Sequence, residues 1–298
     1  MRSLELPRVV IGIPTFNRAT SLARAIESAL AQDYPDLAVL ISDNASTDAT
    51  REVCAAFVAA DPRVAVTRQQ SNVGATKNFR SVFESASGEL FMWLADDDWL
   101  DAGYVRRCVE CLVQEPDVVL VGGRAKYYQN GVLTRTGAAT NCQSNLATRR
   151  VLQYYCGVDD NAIFYGVMRR QALMRQAIPN CLGGDWLLIA AMAYQGKIKT
   201  IEDAFLHRAL GGASVSLDRM IRALDLPRWQ ARIPLTFTLA VYAARDIGWN
   251  NPVYADRSPI SRRVFALLVF CWLFSIKPVQ ELWRRIRARL VFPSAAAR

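Results

Sequence analysis

Residues 90–99, reading LFMWLADDDW, constrain this chain more than any others. Five of the first six side chains are large and apolar, and none of the six is charged. Gly88 precedes the run and charge follows it, the pattern of a strand buried on both faces. Asp96, Asp97 and Asp98 come next. A core strand cannot keep three carboxylates, because an unpaired buried charge is very costly. The triplet therefore marks where the strand leaves the core, and in open α/β sheets that carboxyl end is where ligands bind. Adjacent like charges repel unless a cation lies among them, and hard divalent cations take oxygen ligands and pair with phosphates. These residues suggest a metal–diphosphate site. The competing explanation is a helix start at 103–112, since acids near a helix N-terminus satisfy open amides and complement its dipole.

Strand and helix patterns alternate through the first third of the chain. Branched apolar runs predict strands at 9–13, 37–41 and 64–67. Helical spacing predicts helices at 21–31, up to about 60, and around 77–85, the last closed by Gly88. Repeated alternation implies a parallel, doubly wound sheet with helices on both faces. The polar clusters at 15–18, 43–48 and 96–98 each follow a strand, so they should converge on one sheet edge. No G-x-G-x-x-G follows the first strand and no G-x-x-x-x-G-K-[ST] occurs, which disfavours a dinucleotide fold and a P-loop. Further on, 118–122 reads as a strand, Asn130-Gly131 within 127–133 as a hairpin turn, and 162–168 as another strand.

The residues quoted so far resemble the family 2 glycosyltransferases of GT-A fold. The matching segments are VIGIPTFNR at 10–18, ISDNASTD at 41–48, Asn72-x-Gly74 with Asn78, and LADDD at 94–98. Gly183-Gly184-Asp185-Trp186 is similar to that family's acidic-pair motif, and Leu206-His207-Arg208 with the Gly-Gly-Ala-Ser at 211–214 to its later segment. The resemblance implies a metal-dependent, inverting transfer of a sugar from a nucleotide diphosphate sugar to a saccharide or lipid-linked acceptor, in cell-surface glycan synthesis. It implies that Thr15, Asn17 and Arg18 line the nucleotide pocket with Asn72 and Asp96. Asp43 would accept a hydrogen bond from the base, and Asp48 would support that loop. Asp97 and Asp98 would hold Mg²⁺ or Mn²⁺, and Asp185 would be the general base. Two positions depart from the pattern. Ala95 stands where the family's first acid belongs, which leaves open which two of the three aspartates meet the metal. Gly184 replaces one member of the acidic pair.

Other residues admit two readings. Asp185 precedes an apolar run and could simply cap a helix. Lys77 is either a solvated helix residue or a pyrophosphate contact. His207, the single histidine, is either structural or a further metal ligand beside Arg208. Trp93 reads as core, and Trp99 as half-buried or as a platform for a sugar.

Charge divides the chain unequally. Residues 220–298 carry 13 Lys and Arg against four acids, whereas residues 1–219 balance 23 against 23. The expected layout is a GT-A type α/β domain over 1–220 and a helical basic tail over 221–298. Within the tail a helix is expected over 228–248, a linker over 252–259, and an apolar stretch over 264–274, too short to span a bilayer, for which about 20 residues are needed. Apolar surface bordered by arginines suits an anionic membrane surface; the alternative is a helix pair packed on the catalytic domain. No nucleic-acid motif accompanies the basic excess. Seven scattered cysteines and the lack of a visible signal peptide suggest a reducing, cytoplasmic setting, peripheral on the inner face of the membrane. The other readings are a catalytically inactive nucleotide-sugar-binding protein and a nucleotidyltransferase.

Overall fold

β1 (Val9–Thr15) is buried along its whole length and forms the spine of the first half. It pairs in parallel with β2 (Leu37–Asp43) on one side and β4 (Leu90–Trp93) on the other, and β3 (Val64–Arg68) continues beyond β2. This computed structural model describes residues 6–176, 178–210 and 216–276. Strand residues alternate between two core layers. Val10, Phe91 and Trp93 face α3 (Ala75–Glu84) through Val82 and Phe83. Val9, Ile11, Ile13 and Met92 face α1 (Ala19–Leu30) through Leu22, Ala25 and Ile26. Helices on both faces are what a sheet without a polar side requires. Gly12 serves this packing: a Cβ there would stand 2.8 Å from the Phe91 ring. The remaining crossover is α2 (Thr50–Ala60).

The second half is mixed. It contains β5 (Trp99–Leu100), α4 (Tyr104–Gln114), β6 (Val118–Gln129), β7 (Val132–Thr136), α5 (Ala147–Gly157), β8 (Val167–Arg169), α6 (Arg170–Met174), α7 (Gly184–Gln195) and β9 (Lys197–Ala209). The sheet order is β3-β2-β1-β4-β8-β6-β9-β5, with β7 paired to β6. Asn130 and Gly131 make the expected hairpin turn, both with positive φ, 51° and 79°. The strand expected over 162–168 is divided. Asn161, at φ 51°, opens a 3₁₀ turn over Ala162–Tyr165, and only Val167–Arg169 pairs in the sheet. A short apolar run has the same pattern in either state, and tertiary contact decides. Here Phe164 stacks on Trp93 at 4.9 Å.

The C-terminal part holds α8 (Leu217–Ala223), α9 (Leu235–Arg245) and α10 (Pro259–Cys271). The single helix expected over 228–248 is interrupted at Pro234, which lacks an N–H and disfavours helical backbone before it. The segment expected as a linker is packed: Tyr254 is fully buried edge-on to Tyr194 at 4.7 Å. Ala240, Ala243, Phe265 and Val269 join one core with Tyr155, Leu188 and Met192 of α5 and α7. Among the described residues no helix is long and apolar enough to cross a membrane. Cys54, Cys108, Cys111, Cys142, Cys181 and Cys271 are free thiols. The 211–214 turn and the basic positions from 277 onward lie outside the described residues.

Candidate active site at the carboxyl edge of the sheet

After β4, the Asp98 amide donates to the Ala95 carbonyl at 3.1 Å, and this turn sends the three carboxylates to different places. Asp96 lies against the Thr15 hydroxyl and the Phe16 amide. Burial pushes its pKa up to about 6, Asp97 adds to the push, and Thr15, Arg18 and the Phe16 amide oppose it. Asp98 turns inward and is 1% exposed. Its Oδ2 accepts from Arg208 Nε at 3.0 Å. Burial pushes Asp98 up to about 7 even with Arg208 pulling the other way. Asp97 keeps its side chain 21% exposed, with Arg18 Nη2 3.7 Å away.

A cavity of about 970 Å³ opens beside this turn. Thr15, Arg18, Asn72, Lys77 and Asp96, all expected nucleotide-sugar contacts, line it, together with Asn44 and Arg222. Three cationic side chains, Arg18, Lys77 and Arg222, lining one cavity suit a diphosphate. Asn17, Asp43 and Asp48, also expected there, do not line it. Asn17 accepts from the Thr47 amide at 2.8 Å and tethers the β1 loop to the β2 loop. Asp48 accepts from the Ala19 and Thr50 amides at 3.1 and 3.0 Å. Its pKa is lowered, chiefly by the Thr50 hydroxyl. Asp43 is 2% exposed and fully engaged, ion-paired with Arg68 and accepting from the Ser46 amide at 2.9 Å. It is Asn44, the next residue, that reaches the cavity. Asn78 is buried and joins three elements: it accepts from Ser42 at 2.7 Å and donates to the Ser42 and Thr15 carbonyls at 3.0 and 3.3 Å.

A second cavity of about 510 Å³ shares Ala75, Thr76, Phe79, Ala223 and Leu224 with the first. Asp185 and Arg208 line it. Asp185 sits in the first turn of α7, as its position before an apolar run predicts. A helix N-terminus should lower its pKa. Burial wins: the carboxyl is raised, while Asn161 and the Trp186 and Asp185 amides pull it down. Asn161 Nδ2 donates to Asp185 Oδ2 at 2.8 Å, and the Tyr154 hydroxyl donates to Asn161 Oδ1 at 2.7 Å. The glycine at 184 has a steric cause. A Cβ there would lie 2.3 Å from the Pro179 carbonyl oxygen, so no second acid fits beside Asp185.

One expectation is corrected. His207 has no nitrogen to offer a metal as placed: Nε2 donates to Asp101 at 2.7 Å and Nδ1 is hydrogen-bonded to the Tyr128 hydroxyl at 2.9 Å. Trp99 is half-buried, the first of its two readings, with His207 stacked on it at 5.1 Å and the Arg24 guanidinium 3.6 Å from its ring centroid. Asp98, expected as a metal ligand, is engaged by Arg208 and would have to exchange that partner for an ion. The donor set nevertheless fits a hard divalent cation: every candidate is a carboxylate oxygen, and Asp97 is the most accessible of them. Among the described residues no group of three or more His, Cys, Asp or Glu forms a ready metal cage. Such a site suits an ion completed by the phosphates of a ligand.

Sequence reading missed Arg68 and Asn161 and left Arg208 unassigned. Arg68 had a usable signal, because the parallel register sets it beside Asp43 at the ends of β3 and β2. Asn161 had none.

At the carboxyl edge of the parallel sheet, a cavity lined by Arg18, Lys77 and Arg222 thus adjoins one lined by the buried Asp185, an arrangement found in an α/β enzyme fold. The chain belongs to glycosyl transferase family 2, whose model matches residues 10–176. It is 28% identical over 217 residues to an uncharacterized glycosyltransferase of Nostoc, covering 70% of this chain and 66% of that protein. It is 35% identical over 99 residues to the GalNAc(5)-diNAcBac-PP-undecaprenol beta-1,3-glucosyltransferase of Campylobacter jejuni, 33% of this chain and 32% of that one. The chain thus spans about a third to two thirds of these relatives' lengths. In fold it is similar to S. aureus TarS 1–349 in complex with UDP-GlcNAc, with a TM-score of 0.55 at 17% identity over 90% of this chain and 81% of that one. It is equally similar to the mannosyltransferase PcManGT from Pyrobaculum calidifontis in complex with GDP-Man and Mn²⁺, with a TM-score of 0.55 at 17% identity over 96% and 81%.

Proposed function

We propose that this chain transfers a sugar from a nucleotide diphosphate sugar to a saccharide or lipid-linked acceptor, with inversion, in glycan synthesis. The observation that carries this is the junction of the two cavities along Ala75–Phe79 and Ala223–Leu224, with Arg18, Lys77 and Arg222 on one side and Asp185 on the other. The donor lies in the larger cavity, its diphosphate among the three cations. The acceptor enters the smaller one. Asp185 takes the proton from the acceptor hydroxyl, whose oxygen bonds to the anomeric carbon as the bond from that carbon to the diphosphate breaks. Attack from the face opposite the leaving group inverts the centre. Burial raises the basicity of Asp185, and such a base contributes about 10²–10⁴-fold. Mg²⁺ or Mn²⁺, held by Asp97 with Asp96 or Asp98 nearby, would supply charge neutralisation on the diphosphate.

The relatives support the reading without extending it. The Campylobacter protein is named for an undecaprenyl-diphosphate-linked glycan, and the two solved structures hold UDP-GlcNAc and GDP-Man with Mn²⁺. The test is a thermal-shift screen of UDP-, GDP-, CMP- and dTDP-sugars with and without Mn²⁺, followed by donor turnover. A ligand that binds only the folded chain raises the melting point. If no nucleotide sugar shifts it, the reading fails. A donor that binds but is never turned over, even with acceptor, would favour the binding-only alternative, to which the Arg208 contact on Asp98 lends some weight.

A further inference from the structure

α10 is apolar on both sides. Phe265, Ala266, Val269 and, just beyond the helix end, Leu273 are buried in the core shared with α5 and α7. On the opposite side Ile260 is 76% exposed, Val264 53%, Leu267 61%, Leu268 56% and Phe274 46%. Those positions, with exposed Cys271, recur at the spacing of one helix face and make a continuous stripe. α9 extends it, because Phe237, itself 39% exposed, meets Phe274 at 5.7 Å and Phe270 at 6.2 Å. Trp249, 58% exposed, stands at one border with the Arg263 guanidinium 6.0 Å from its ring. Scattered exposed apolar residues need no explanation, but a contiguous stripe does.

We propose that this face is the surface by which the chain lies on an anionic lipid leaflet. Charge selects that occupant. Between Pro259 and Ile276 there is no acid, and the charges present are Arg262 and Arg263. Arg262 is spent inside, donating to the Ile247 and Asn251 carbonyls at 3.0 and 3.2 Å and fixing α10 in place. Arg263 is exposed beside the stripe. In the sequence, six basic residues and one acid follow over 277–298. An apolar stripe with Arg263 exposed at its edge and a basic sequence after it matches acyl chains below and phosphate headgroups at the rim. Among the described residues no helix is long and apolar enough to span a bilayer, and α10 is anchored on one side by the core, so it lies in the interface plane. The inference does not depend on the catalytic reading.

The experiment is flotation of the full chain with vesicles of phosphatidylglycerol and phosphatidylcholine, and with phosphatidylcholine alone. The chain should float with the anionic vesicles and less with the neutral ones, and added salt should release part of it. Leu267→Glu with Leu268→Glu should weaken partitioning about tenfold or more while the melting point stays near wild type, since both side chains already face solvent. Ile260→Glu, at the most exposed position, gives a second variant should the first fold poorly. Wild-type protein that stays unbound, or binding unchanged in both variants, overturns the proposal. Concentration-dependent dimerisation abolished by the same variants, without vesicle binding, would assign the face to a second copy and also overturn it.

Discussion

Arg208 Nε donates to Asp98 Oδ2 at 3.0 Å from 110 residues away, and its guanidinium stands 4.8 Å from the centroid of the Tyr165 ring. The end of β9 thereby neutralises a carboxylate of the turn after β4. Arg208 also lines the Asp185 cavity. Its removal tests how far the site depends on this one contact.

Arg208→Ala leaves Asp98 buried and unpaired, which should cost about 3 kcal/mol of unfolding free energy. Denaturant midpoints measure it. With a nucleoside diphosphate present, Mn²⁺ should restore part of the lost melting temperature in the variant, because an ion can take the place the guanidinium held. A variant as stable as wild type without metal would contradict this.

Asp185→Asn should lower transfer about 10²–10⁴-fold and leave donor binding intact. Asn161→Ala should act through Asp185. Losing the 2.8 Å hydrogen bond removes an interaction that favours the carboxylate, so the base becomes harder to ionise. The rising limb of the pH–kcat/KM profile should therefore move to higher pH. A uniform loss of activity with an unmoved limb would reduce Asn161 to a packing role.

Arg68→Met should destabilise the β2–β3 edge by about 3 kcal/mol, since Asp43 would keep a buried charge without its partner. It should also weaken nucleotide binding through the Asn44 loop. Asp43→Asn combined with Arg68→Met should recover much of the stability, and a double-mutant cycle in urea gives the coupling.

Asp246 provides a pH test away from the site. Burial pushes it up to about 6, while Asn251 and Arg262 oppose the shift. An unfolded Asp titrates near 4, so between about pH 4 and 6 the folded chain binds more protons and stability falls as pH rises. Asp246→Asn can still accept from Asn251. It should gain on the order of 1–2 kcal/mol at about pH 8 and flatten the slope between about 4 and 6. A less stable variant at high pH would refute the assignment.

Local pattern accounts for much of the fold. The first four strands, the three helices between them and the Asn130-Gly131 hairpin follow from runs, spacing and turn chemistry within a few residues, and each falls near its expected place. Where an apolar run is short, as at 162–168, or a proline interrupts helical spacing, as at 234, the pattern misleads. The competing states differ only in what they pack against.

For the site, the sequence by itself determined where β1, β2 and β4 end and that acids follow each of those ends, because strand direction and turn chemistry are local properties. Only the tertiary structure decided how they differ. Asp97 is left accessible, Asp98 is bound by Arg208, Asp43 by Arg68 and Asp185 by Asn161, partners brought in by strand register or chain crossing. A carboxylate's proton affinity depends on the charges and solvent around it, and those neighbours are set by the packed chain.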